Sequence, residues 1–186
     1  MPAVQLLERD NMDASLNELM QTTEDYFGHV PELVKALANN PPMCKTITEF
    51  TLQALGPGRI DWALKELIIL KTLRSIQCTY SYGAHEKIAA DLGVPLEKIG
   101  DVANSQWQTS AHYSDAEKAL FKLVEQIAED ANDVSDELWE ELRNHWDNGQ
   151  LLEVNAVITT FIMIGRVGDS LGVSDPVLFS KPLKNV

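Results

Sequence analysis

The chain has 186 residues, 45% hydrophobic and 23% charged, with 15 Lys and Arg against 28 Asp and Glu and a formal net charge of −13. That length and composition fit one globular domain with a sizeable core. The acidic balance argues against nucleic-acid backbones and anionic membranes as partners, since both need a positive surface. Two cysteines, Cys44 and Cys78, are too few for a disulfide scaffold or an all-cysteine zinc site. Glu8, Arg9 and Asp10 occupy the N-terminal stretch with no apolar segment after them, so no secretory signal is read. The longest apolar run, Ala156 to Ile164, falls short of the roughly 18–20 residues of a spanning helix. The expected compartment is a reducing cytoplasm with both thiols free.

The sequence reads as helical almost throughout, with no alternating strand pattern, no internal repeat and no low-complexity linker. Asp13 to Phe27 is a first helical stretch, ended by Gly28. Pro31 to Asn39 is a short second one. Pro41 and Pro42 open a third, stopped near Leu55 by Gly56-Pro57-Gly58. Asp61 is placed to cap a helix whose body, Leu64 to Ile76, is apolar nearly all round and therefore buried. A helical pattern from Tyr80 to Leu92 follows with almost no punctuation, and Gly93 suits its C-terminal end. Whether these two are one bent helix or two separated near Cys78 stays open at this level, and typical helix lengths favour a break.

Pro95 opens a short helix, Leu96 to Ala103, and Gln106 to Tyr113 reads as loop. Ser114 and Glu117 form a capping box ahead of Ala119, Leu120, Leu123, Val124 and Ile127 at helical spacing. Ser135 caps another helix, Leu138 to Trp146. A last long helix, Leu151 to Leu171, closes at Gly172 and carries Gly165 and Gly168, where another backbone can approach closely. The expected architecture is a single all-α domain, residues 1–186, of about eight helices.

Nucleotide loops, nucleophile elbows and metalloprotease motifs are absent, and His29, His85, His112 and His145 show no metal-ligand spacing. No metal or organic cofactor is expected. One segment stands out: Glu66, then Cys78, Ser81 and His85. If Cys78 to His85 is helical, then at about 100° per residue Ser81 and His85 lie about −60° and −20° from Cys78, on one face. Ser81 and His85 are then i, i+4 neighbours. Cys78 would sit at the helix N-terminus, where free N–H groups and a nearby imidazolium favour a thiolate. Taken singly, a buried Cys is inert packing, Glu66 beside Lys65 reads as a solvated face, and a lone His as a surface or satisfied core residue. Cys44 reads as core, and His112 has no evident partner.

The stretch Glu66-Leu-Ile-Ile-Leu, Cys78-x-x-Ser81-x-x-x-His85 and Ala89-Ala90-x-x-Gly93-Val-Pro-x-x-Lys98-Ile99 resembles the signature of the carboxymuconolactone decarboxylase superfamily, in its alkylhydroperoxidase D-like branch. Tyr26-Phe27-x-x-x-Pro31 and the closing Arg166-Val-Gly-Asp169-x-Leu-Gly-Val extend the resemblance over about residues 24–173. It implies an alkylhydroperoxidase D-like helical fold, with Glu66, Cys78 and His85 matching the family's proton-relay Glu, first Cys and His. The family's second, peroxide-attacking Cys is replaced here by Ser81, and a hydroxyl can form neither a sulfenic acid nor a disulfide.

The leading expectation is a thiol-dependent, peroxidase-like antioxidant oxidoreductase. It would use Cys78 and a Glu66–Cys78–His85 relay, with an external thiol or Cys44 as reductant and a hydroperoxide as substrate. The alternatives are an acid–base, decarboxylase-like lyase using His85 and Glu66 on a small organic acid, and a non-enzymatic oligomer with a degenerate site. The resemblance also implies a homotrimer or homohexamer. Light scattering checks this: the expected mass is three or six times the 20.7 kDa of one chain, and a 20.7 kDa particle at micromolar concentration removes it.

Overall fold

The structure, a computed structural model, describes residues 1–174. The described part is all helical: α1 (Asn17–Phe27), α2 (Glu32–Leu37), α3 (Pro41–Leu55), α4 (Trp62–Ser75), α5 (Tyr82–Asp91), α6 (Leu96–Ala103), α7 (Asp115–Asp130), α8 (Asp136–Arg143) and α9 (Asn148–Leu171). The expected punctuation is used. Asp61, Ser114 and Ser135 accept N-cap bonds from Leu64, Glu117 and Leu138, and Gly28 and Gly172 end α1 and α9 in the left-handed conformation. Several boundaries differ, by one to a few residues. The stretch from Asp13 begins with a 3₁₀ turn, Ala14–Leu16, before α1. The helix expected to run to Trp146 stops at Arg143. And α9 starts before Gly149, because Asp147 and Gln150 form a second capping box.

Helix α4 is the axis of the molecule. Every residue from Lys65 to Leu73 is buried, and α5, α6, α7 and α9 pack around it. Its Leu and Ile side chains divide between two core clusters, one shared with α7 and α9 and the other with α6 and Trp107. A third cluster joins α1, α2 and Cys44 of α3. Among the described residues α9 alone is long and apolar enough to cross a membrane, contrary to the expectation from its shorter apolar run; half of that apolar stretch is buried inside the fold. Its long contact with α4 accounts for the apolar length.

Lys65 is buried with α4. Its Nζ donates to the carbonyls of Ala54 (3.2 Å) and Gly56 (2.7 Å) and pairs with Glu153 of α9 at 2.5 Å. The last carbonyls of a helix have no partner of their own, so this ammonium caps α3 from below. Glu153 also accepts the Arg59 N–H at 2.6 Å. A Cβ at Gly58 would lie 1.9 Å from the Glu153 carboxylate, so glycine there makes room for it. Lys65→Met strands this carboxylate and both carbonyls and is expected to cost about 3–5 kcal/mol. Urea denaturation should show a lower midpoint with an unchanged slope, and Lys65→Met/Glu153→Met should recover part of the loss.

Candidate active site

Glu66 and His85 face each other across the α4–α5 contact. His85 Nδ1 lies 2.7 Å from Glu66 Oε2. Glu66 is fully buried and His85 nearly so. An ionised carboxylate only accepts hydrogen bonds. In the neutral imidazole Nδ1–H therefore donates to Glu66, and Nε2 carries the lone pair. The imidazole stands edge-on to Phe161 of α9, centroids 4.9 Å apart at 89°, which fixes its plane.

His85 and Ser81 share a cavity of about 70 Å³. Its walls are apolar, Leu33, Leu37, Leu55, Ile88 and Phe161 among them, and no Lys or Arg lines it. Ser81 is the N-cap residue of α5, at φ +58°. Its carbonyl accepts the His85 N–H at 3.1 Å, while its buried hydroxyl has no hydrogen-bond partner among the described residues. A left-handed non-glycine residue costs about 1–2 kcal/mol; here that conformation starts α5 and leaves the hydroxyl at the cavity wall.

Cys78 is not on this helix. The chain breaks near Cys78, as helix length favours: α4 ends in a Schellman motif and α5 begins only at Tyr82, so Cys78 does not share a helix face with Ser81 and His85. Gln77 takes the left-handed position, φ +56°, with its N–H bonded to Arg74 O, while the Cys78 N–H reaches back to Leu73 O. Cys78 is thereby the residue after the turn, turned toward α9. A Cβ at Gly165 would lie 2.9 Å from its sulfur, and one at Gly168 would lie 2.6 Å from the Tyr80 ring, so the two α9 glycines form the notch that receives this loop.

The thiol donates to Tyr80 O at 3.3 Å. Asp169 holds the same loop, accepting from Tyr80 N at 3.1 Å and Thr79 Oγ1 at 3.2 Å. Burial first, and then the Asp169 carboxylate, push the Cys78 thiol up to about 12. The sequence-based expectation of a thiolate at a helix N-terminus is reversed. Cys78 borders a separate open groove with Arg74 and Tyr82, which Ser81 and His85 do not line.

The structure thus brings Glu66, His85 and Ser81 together and sets Cys78 apart. Cys44 and Cys78 are both free, buried in different clusters. His112, which had no evident partner in the sequence, pairs with Asp101 at 2.9 Å on an exposed turn. Phe161 and Asp169 were missed as site residues. Asp169 lay inside the quoted closing motif, whereas Phe161 was indistinguishable from the rest of an apolar helix. Among the described residues no group of three or more His, Cys, Asp or Glu is placed to hold a metal ion.

Residues 41–126 match the carboxymuconolactone decarboxylase family. No curated protein matches the chain. Among solved structures, a peroxidase-related protein from Silicibacter sp. TM1040 superposes with a TM-score of 0.81 at 14% identity, over 98% of this chain and 96% of that one. An alkylhydroperoxidase AhpD core protein from Ralstonia eutropha JMP134 gives 0.79 at 18% identity, over 96% and 94%. The debrominase Bmp8, solved as a cysteine-to-alanine variant in complex with 2,3,4-tribromopyrrole, gives 0.79 at 19% identity, over 95% and 92%. At these identities the likeness is one of fold.

Thiol reactivity reads the Cys78 environment directly. At pH 7 a thiol with a pKa of about 12 carries on the order of 10³-fold less thiolate than an unperturbed one. In a Cys44→Ala background, alkylation of Cys78 in the folded protein should be slower than that of a free thiol by a comparable factor. Asp169→Asn should speed it. Fast labelling at neutral pH would contradict the buried, protonated thiol.

Proposed function

Because the chain belongs to the carboxymuconolactone decarboxylase superfamily, we propose that it is an enzyme of small-molecule acid–base chemistry, a decarboxylase-like lyase in which His85 is the general base. The 2.7 Å contact between His85 Nδ1 and Glu66 carries this reading. Nε2 accepts a proton from a molecule in the cavity, and Glu66 holds the tautomer and stabilises the imidazolium that results. The Ser81 hydroxyl donates to the atom where negative charge develops. The apolar walls strengthen both interactions by keeping the local dielectric low. The carbon–carbon bond to the ionised carboxylate then breaks, carbon dioxide leaves, the bonding pair stays on the substrate carbon, and the proton on Nε2 is delivered to that carbon, which completes a lyase cycle without a redox group.

A thiol-dependent peroxidase is the second reading, favoured by the fold shared with peroxidase-related proteins. It needs Cys78 to ionise, and the thiol's burial and the adjacent Asp169 oppose that.

Two assays separate the readings: carbon dioxide release from a panel of unsaturated lactone acids, and hydroperoxide consumption with a dithiol reductant. On the acid–base reading His85→Gln lowers kcat/KM for the lactone acids by about 10²–10⁴-fold. Glu66→Gln lowers it as well, by removing the acceptor that sets the tautomer, and Cys78→Ala leaves it unchanged. Dithiol-dependent peroxide turnover that survives His85→Gln and vanishes in Cys78→Ala would replace this reading with the second.

A further inference from the structure

Glu66 Oε2 is taken by His85, but the other carboxylate oxygen, Oε1, is equally buried and has no hydrogen-bond partner among the described residues. Among the buried donors in the same condition are the Tyr26 hydroxyl and the Trp62 indole Nε1. The three groups belong together. Trp62 is the first residue of α4, four before Glu66, so the two side chains rise from one face of the helix. The Tyr26 ring, from the end of α1, lies 6.2 Å from the Trp62 ring. Burial first, and then the negative charge of Glu66, holds the Tyr26 phenol above its ordinary range.

An acceptor oxygen and two donors grouped this way, none of them partnered among the described residues, are the set that an internal water satisfies: such waters make about three hydrogen bonds to buried groups that otherwise lack partners. On the far side Tyr26 borders an open surface groove, from which solvent has access. The other charges around α4 are engaged elsewhere, Lys65 with Glu153, Lys71 with Glu125 and Lys98 of α6 with Glu117.

We propose that Tyr26 and Trp62 hold a buried water against Glu66 Oε1, and that Tyr26 is thereby a positioning residue which keeps Glu66 ionised and aimed at His85. This rests on the acid–base reading and deepens it. Donors on Oε1 stabilise the carboxylate charge, so Glu66 stays an acceptor and His85 keeps its proton on Nδ1. Removing a donor disfavours the deprotonated pair, and the proton affinity of the Glu66–His85 unit rises.

Histidine-selective ¹⁵N labelling tests this without a substrate. In the wild type, the His85 Nδ1–H bonded to Glu66 should give a downfield proton resonance, and the ring should titrate with a definite midpoint. Tyr26→Phe, which keeps the ring packing, should retain that resonance and move the midpoint upward by about one pH unit, a tenfold gain in proton affinity. Trp62→Phe should move it in the same direction and serves as the second variant if the first does not fold. Tyr113→Phe, whose hydroxyl donates to Lys98 O in another cluster, should leave it unmoved. A His85 midpoint unchanged in folded Tyr26→Phe, with the downfield resonance present, overturns the positioning role and leaves the acid–base reading standing. Absence of that resonance from the wild type removes the Glu66–His85 pair itself, and the proposal with it.

Discussion

Two adjacent charged residues on a helix with no solvent face impose the central constraint. Lys65 and Glu66 are both buried within α4, and a buried charge is tolerated only with partners in place. Consecutive helical residues diverge by about 100°, so the two partners must come from different directions. Lys65 finds the end of α3 and Glu153 of α9; Glu66 finds His85 of α5. The placement of α3, α5 and α9 around the axis is thus tied to electrostatic satisfaction as well as to apolar packing. The same satisfaction that holds the fold together supplies the Glu66–His85 hydrogen bond of the site.

The loop between α4 and α5 decides which chemistry the site can carry. Its two left-handed residues, Gln77 and Ser81, bracket a turn that faces Cys78 toward the α9 glycines and Ser81 toward the cavity of His85. A hydroxyl therefore stands where the imidazole can act, and the thiol stands beside a carboxylate that keeps it protonated. The Ser81 replacement and the burial of Cys78 weigh in one direction: both withdraw sulfur from the neighbourhood of the His85 imidazole.

The cavity reinforces that division. Its apolar lining and lack of cations raise the influence of the few polar atoms that reach it, the His85 ring and the Ser81 hydroxyl. Phe161 fixes the imidazole plane by edge-on packing. Those two contacts, one from α4 and one from α9, constrain the ring on two sides, an arrangement suited to a base that must not reorient between proton transfers.

Much of the fold was legible in the chain. Local signals need only local physics: capping residues at Asp61, Ser114 and Ser135, glycine at the ends of α1, α5 and α9, and the all-round apolar body of α4 each act through neighbours in sequence. The pairing of Glu66 with His85 was also readable, through the resemblance and the spacing. A break near Cys78 was favoured by helix length alone, but its place at Gln77 was not legible. A glycine in the left-handed position announces a Schellman turn, whereas glutamine does so only when tertiary contacts compensate its strain, here the seating of Cys78 and Tyr80 over Gly165 and Gly168. Sequence determined which residues could form a site. The tertiary structure, through that turn and the α9 notch, decided that Ser81 rather than Cys78 shares the cavity with His85, because the direction of a side chain after a turn depends on what the turn packs against.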